Sequence, residues 1–198
     1  VTASQPTEIP WNDGTWTNEP VEARVEGGDL VVTARETSDA WRLTSYGFIH
    51  DTEHGLLVPF RPGTAVEVEF TADFSEQFDQ AGIFIRRDDD RWVKAATEFS
   101  DGQLNAGAVV TNGYSDWSLA RVSQWLGKRV LIRASWADHA LTIRGGIVGE
   151  PLRLLRVAPF EESDDVMAGP LICAPTRSGL TIRFHSWRIT KADQALHP

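Results

Sequence analysis

The feature that most constrains this chain is a two-residue alternation of apolar and polar side chains. Thr64-Ala65-Val66-Glu67-Val68-Glu69-Phe70 is the clearest case. Successive side chains of an extended strand point to opposite faces, so Val66, Val68 and Phe70 line a dry side and Glu67 and Glu69 a wet one. Comparable segments are Leu30 to Ala34, Trp41 to Ile49, Gln80 to Arg86, Trp92 to Phe99, Ala106 to Thr111, Arg129 to Trp136, Ala140 to Arg144, Leu152 to Ala158, Ala168 to Ala174 and Leu180 to Thr190. Turn chemistry separates them, as in Glu26-Gly27-Gly28-Asp29, Arg61-Pro62-Gly63, Ser100-Asp101-Gly102, Thr111-Asn112-Gly113 and Arg177-Ser178-Gly179. A strand about every ten residues favours an all-β sandwich or jelly roll over alternating strands and helices. Short helical pieces are expected only at Ser75 to Phe78 and Ser123 to Gly127.

At 198 residues a single β-sandwich domain spanning 1–198 is expected, with its core at about 9–190 and loosely held ends at Val1 to Pro10 and Ala192 to Pro198. Such a chain buries roughly 70% of its unfolded surface without a metal or a disulfide. Its one Cys excludes an internal disulfide and a Cys-rich zinc site. A net charge of −9 repels a phosphate backbone and no Lys/Arg cluster offsets it, so nucleic acid is not an expected partner. No apolar run approaches the roughly 18 to 20 residues of a membrane span. No membrane partner is expected, and a reduced, cytoplasmic protein is the reading; a first residue other than Met leaves export open. Nothing in the sequence sets the oligomeric state.

The chain has no Gly-x-Ser-x-Gly elbow, no phosphate-binding Gly-rich loop ending in Lys and no His-Glu-x-x-His, so no cofactor is expected. Gly145-Gly146-Ile147-Val148-Gly149 reads as a turn, since no helix follows it. His50-Asp51-Thr52-Glu53-His54 places two imidazoles and two carboxylates within five residues. On a helix those histidines would share a face, but this is a hairpin-like context, so a solvated loop is preferred and no metal is assigned. Arg87-Asp88-Asp89-Asp90-Arg91 lacks EF-hand spacing and reads as a hairpin turn.

Two strands have a chemically unusual second face. In Gln80 to Arg86, Ala81, Ile83 and Ile85 take the core side, leaving Gln80, Phe84 and Arg86 opposite with a gap at Gly82. Trp92, Lys94, Ala96 and Glu98 alternate in the same way on the next strand. If the two form a hairpin, Gln80, Arg86, Lys94, Glu98, Phe84 and Trp92 share one sheet face, and Gly82 and Ala96 leave floor space for a ligand. Lys94 and Glu98 lie roughly 13 Å apart along the strand and flank a site rather than pair. The bland alternative is a solvated sheet face. Ser115-Asp116-Trp117-Ser118 favours neither strand nor helix and sets a carboxylate beside an indole; Asp39-Ala40-Trp41-Arg42 repeats that combination. Of the eight Trp, Trp125, Trp136 and Trp187 are expected only to pack. The rest offer aromatic platforms which, with carboxylate, amide and ammonium groups, suit a sugar.

These stretches resemble the DUF1349 family, whose fungal branch is named for regulation of enolase. The likeness is carried by Trp16-Thr17-Asn18-Glu19-Pro20, Asp39-Ala40-Trp41-Arg42, Asp79-Gln80-Ala81-Gly82-Ile83, Trp92-Val93-Lys94-Ala95 with Glu98, Val110-Thr111 before Ser115-Asp116-Trp117-Ser118, and Gly179-Leu180 with Phe184. It implies a concanavalin A-like lectin/glucanase jelly roll of two antiparallel sheets, with Trp41, Gln80, Lys94, Glu98, Asp116 and Trp117 near a concave face. It implies no reaction.

Three functions fit. A saccharide-binding domain would use Asp39, Trp41, His50, Gln80, Arg86, Trp92, Ser115 and Trp117 to hold a carbohydrate or glycoside. A glycoside-processing enzyme would add Glu98 and Asp116 as acid and base, with Lys94 shifting a carboxyl pKa or stabilising an oxyanion. A protein-interaction or regulatory module would instead present an exposed apolar patch or a large interface. The carbohydrate-directed reading is preferred.

Overall fold

Val66, Val68 and Phe70 are completely buried, as their alternation requires, on a strand inside one of two antiparallel sheets. The structure, a computed structural model, describes residues 6–197. With strands numbered in chain order, one sheet runs β15 (Arg153–Pro159), β14 (Ala140–Ile147), β13 (Arg129–Ala137), β8 (Thr64–Thr71), β17 (Thr181–Lys191), β4 (Asp29–Thr33) and β3 (Glu22–Glu26), with β1 (Thr7–Glu8) also paired to β17. The other runs β12 (Tyr114–Arg121), β11 (Gln103–Asn112), β10 (Arg91–Ser100), β9 (Gln80–Arg86), β16 (Met167–Cys173), β7 (His54–Pro59) and β2 (Thr15–Trp16). A separate ribbon joins β5 (Ala40–Arg42) to β6 (Ile49–Asp51). The fold is the jelly-roll sandwich that the strand spacing implies.

The core lies between the two large sheets. Val66, Val68, Phe70, Val130, Ile132 and Trp136 of one meet Ala81, Ile83, Ile85, Val93 and Ala95 of the other. Each buried Val, Ile or Phe side chain among them stabilises the fold by about 1.5–3 kcal/mol. Trp125, Trp136 and Trp187 are buried here as packing residues.

Several local expectations are corrected. Trp41 to Ile49 is not one strand: after Arg42 the chain turns through Leu43, Ser45 and Gly47, all at positive φ, and returns as β6. Tyr114 to Arg121 is a regular edge strand despite its polar sequence, because β11 supplies a continuous ladder from Asn105 to Asn112. Ser75 to Phe78 forms no helix; the Asp79 carboxylate accepts the Ser75 and Glu76 N–H groups and closes a turn instead. Ser123–Trp125 is a short 3-10 turn, and a second occurs at Trp11–Asp13. Gly145 and Gly146 belong to β14, leaving the turn to Gly149 at φ 90°.

Nor are the ends all loosely held. Residues 1–5 and 198 lie outside the described residues, but Thr7–Glu8 pairs with β17. The Asp193 carboxylate bonds Arg133 and Arg144. Gly82 also differs from expectation. A Cβ there would sit 2.1 Å from the Ala95 carbonyl oxygen, so its missing side chain lets two backbones approach rather than opening a floor.

Candidate functional site

The β9–β10 register pairs Trp92 with Arg86, Lys94 with Phe84, Ala96 with Gly82 and Glu98 with Gln80. Residues that alternate away from the sandwich core therefore share the outer face of the seven-stranded sheet. The β5–β6 ribbon crosses that face. Ala40 and Trp41 pack on Leu57, Phe84, Trp92, Val109, Leu171 and Cys173, forming a second, smaller core.

Polar contacts hold the ribbon in place. The Lys94 ammonium lies 2.7 Å from Asp39 Oδ1, Ser115 Oγ accepts the Arg42 N–H at 2.9 Å, and Thr52 Oγ1 accepts the Asp39 N–H at 3.1 Å. The turn closes through Leu43 N–H to Phe48 O and Gly47 N–H to Leu43 O, and Gly47 meets its φ of 73° without a Cβ penalty. The Trp41 indole N–H donates to Thr44 O.

The ribbon divides the outer face into two hollows. The first, of about 360 Å³, has Gln80, Lys94 and Glu98 on its floor. Trp41, Tyr46, Phe48 and His50 of the ribbon wall it on one side, with Trp117 and Val109, and Phe78, Pro175 and Thr176 form another wall. Its rings contact one another: Trp41 lies edge-on to Tyr46 and to Trp117, Tyr46 stacks on Phe48 with centroids 5.2 Å apart, and Phe48 meets His50 edge-on. The second hollow, of about 340 Å³, is lined by Thr17, Asn18, Asp51, Glu53, Phe84, Arg86, Asp89 and Trp92.

The floor of the first hollow holds unusual electrostatics. Glu98 is 6% exposed, and burial, opposed by Lys94, pushes its carboxyl up to about 7. Burial acts against the Lys94 charge, yet the adjacent Asp39 carboxylate outweighs it and holds the ammonium above its ordinary pKa. Gln80 Oε1 and Glu98 Oε1 are buried and have no hydrogen-bond partner among the described residues. A buried polar atom without a partner costs about 1–3 kcal/mol, so these two are where a ligand's donors gain most.

Eight of the sequence-derived residues meet at or beside this hollow in different ways, and three do not serve it as expected. Asp39, Trp41, His50, Gln80, Lys94, Glu98 and Trp117 line it, whereas Ser115 sits behind it as a buried anchor, bonded to Thr111 and the ribbon. Arg86 and Trp92 belong to the second hollow, because the ribbon lies between. Arg86 pairs with Asp89. The pairing of Glu98 with Asp116 as acid and base is overturned. Strand alternation turns Asp116 away from Trp117, and its 66%-exposed carboxylate pairs with Arg156 at 2.9 Å.

His50 and His54 do not converge. His54 is buried, its Nε2 accepts the Arg35 N–H and its Nδ1–H donates to Asn18 O. Burial lowers its pKa, so it is a neutral structural side chain. Among the described residues no group of three or more His, Cys, Asp or Glu is placed to hold a metal ion. No helix of the described residues is long and apolar enough to cross a membrane.

Tyr46, Phe48, Phe78, Pro175 and Thr176 were not anticipated. The Ser45-Tyr46-Gly47 turn signal was available for the first two. Phe78 carries a φ of 65° that nothing in its local sequence announces.

Comparison with known proteins gives four relations. DUF1349, described as a protein of unknown function, matches residues 16–192. The chain is 36% identical over 195 residues to Regulation of enolase protein 1 of Saccharomyces cerevisiae, covering 98% of this chain and 97% of that one. A crystal structure of a functionally unknown protein from Saccharomyces cerevisiae matches with TM-score 0.87 at 34% identity, over 93% of this chain and 100% of that one. A mutant of the GH43 protein BlXynB from Bacillus licheniformis matches with TM-score 0.70 at 11% identity, over 92% of this chain but 38% of that one; that likeness concerns the fold alone.

Proposed function

The chain belongs to DUF1349, a family described by no reaction, and we propose that it is a binding module whose first hollow takes a small, neutral, polyhydroxylated ligand of saccharide type. The observation that carries this reading is the pair of unpartnered buried acceptors, Gln80 Oε1 and Glu98 Oε1, on the floor of a hollow walled by Trp41, Tyr46, Phe48 and Trp117. Adjacent hydroxyls of one ring would donate to both, since Gln80 and Glu98 face each other across neighbouring strands. Apolar ring faces would stack on the half-exposed Trp117 indole.

A neutral ligand follows from the charge balance. The Lys94 charge is committed to Asp39, and Glu98 is half protonated near neutral pH. Binding is favoured over bond cleavage because, among the described residues, neither candidate carboxylate is free beside Glu98: Asp39 is ion-paired, and Asp116 pairs with Arg156. The test is a panel of glycans and glycosides read by thermal shift and by product detection together. A ligand that raises the melting temperature and stays intact supports the module; one that is consumed replaces it with an enzyme.

Kinship favours a second reading. Identity of 36% along nearly the whole of Regulation of enolase protein 1 supports a non-catalytic regulatory module more directly than it supports sugar binding. The two combine if occupancy of the hollow governs regulation. Adding the purified chain to an enolase and following its rate, with and without a Trp117→Ala change, separates them. A rate effect insensitive to Trp117 would leave regulation standing and detach the hollow from it.

A further inference from the structure

We infer, resting on the saccharide reading above, that the first hollow seats the end of a saccharide and excludes the middle of a longer chain. The ribbon and Phe78 are the two barriers that impose this. A groove that binds chain interiors must run open at both ends, whereas this hollow is walled by the ribbon on one side and by Phe78, Pro175 and Thr176 on another. The ribbon lies across it with Trp41 sunk into the small core on Phe84, Trp92 and Val109, so a ligand on Gln80 and Glu98 cannot continue toward Arg86 and Trp92. Those residues line the separate second hollow.

The opposite wall is equally fixed. Phe78 sits at φ 65°, a region unfavourable to a bulky side chain and maintained only where its surroundings over-determine it. Three groups of contacts do so. The Phe78 N–H donates to Phe99 O at 2.6 Å. The next residue, Asp79, is fully buried; it accepts the Ser75 and Glu76 N–H groups and a bidentate pair from Arg177 Nε and Nη2 at 2.9 and 2.7 Å. The Thr176 hydroxyl donates to Gln77 O, tying the Pro175-Thr176 segment to the same turn. Phe78 thus stands as a braced wall beside Gln80, at the mouth of β9. A hollow of about 360 Å³, near the lower end of the ~300–1,000 Å³ typical of small-molecule pockets, suits a short ligand.

The test uses the methyl glycosides of glucose, xylose and mannose, their β-1,4-linked di- to hexasaccharides, and the matching soluble polysaccharides, all titrated calorimetrically against the whole chain. A disaccharide and a hexasaccharide that bind within about twofold of each other are expected, with the polysaccharide binding in proportion to its chain ends. Phe78→Gly removes the barrier while suiting the left-handed backbone, so the variant should remain folded. In it the hexasaccharide should gain at least about fivefold over the disaccharide. A hexasaccharide preference of about tenfold or more in the unaltered chain, or an unchanged ratio in the folded Phe78→Gly variant, overturns the inference while leaving saccharide binding intact. Failure of every probe at every length overturns both.

Discussion

The Lys94 ammonium lies 2.7 Å from the Asp39 carboxylate, with the lysine side chain 3% and the aspartate 18% exposed, so one ion pair joins the middle of the seven-stranded sheet to the ribbon that crosses it. Removing one partner strands the other in a poorly solvated place. Lys94→Met should cost about 3 kcal/mol, the lower end for a broken buried pair because Asp39 retains some water. Lys94→Met with Asp39→Asn should recover part of that loss. Urea denaturation of the three variants checks this, and a single-variant cost under about 1 kcal/mol would show that the pair does not hold the ribbon.

Glu98 should make stability depend on pH in an unusual direction. Its carboxyl is raised from 4.5 to about 7 by burial, as is that of Glu53 in the second hollow. Below pH 4.5 both folded and unfolded chains carry these protons, and neither group contributes a slope. Between about 4.5 and 7 the folded chain binds more protons, so stability falls as pH rises, and above about 7 the loss is complete. Glu98→Gln removes its share and should stabilise the chain at pH 8 by about 3 kcal/mol relative to its effect at pH 4, taking about 1.4 kcal/mol per unit. Denaturation at pH 4, 6 and 8 tests it; a variant whose deficit or gain is the same at all three would refute the assignment.

Two indoles of the hollow should separate binding from folding. Trp117 is 39% exposed and stands edge-on to Trp41. Trp117→Ala should leave stability within about 1 kcal/mol and weaken a saccharide by roughly tenfold, the value of one aromatic contact. Trp41, on the ribbon itself, is buried against the sheet, so Trp41→Ala should cost about 3–5 kcal/mol. Chemical denaturation and ligand-induced thermal shift of both variants distinguish the two roles.

Asp116→Asn should be nearly silent. Its pair with Arg156 is exposed, and such pairs contribute about 0–1 kcal/mol. Ligand binding should be unchanged, since the carboxylate does not line the hollow. A loss of binding or turnover in this variant would restore Asp116 to the site.

Much of the site was legible because strand periodicity is strict. Once Gln80 to Arg86 and Trp92 to Phe99 are recognised as a hairpin, the pairing of Glu98 with Gln80 and of Lys94 with Phe84 follows from alternation and turn length. The same rule should have placed Asp116 on the face opposite Trp117, but the polar composition of Ser115 to Ser118 concealed that this segment is a strand. Its extended form comes from β11 beside it, not from its own propensity.

Alternation and turn signals by themselves determined most of the strands, the sandwich class and the common face of Gln80, Lys94 and Glu98, because those depend on residues near in sequence. Tertiary structure decided the rest: the ribbon folding over that face, Lys94 meeting Asp39 across 55 positions, and Phe78 held in a left-handed backbone by Asp79 and Arg177. Each of these joins segments with no local pattern in common. Burial and charge complementarity select them only when the chain has closed.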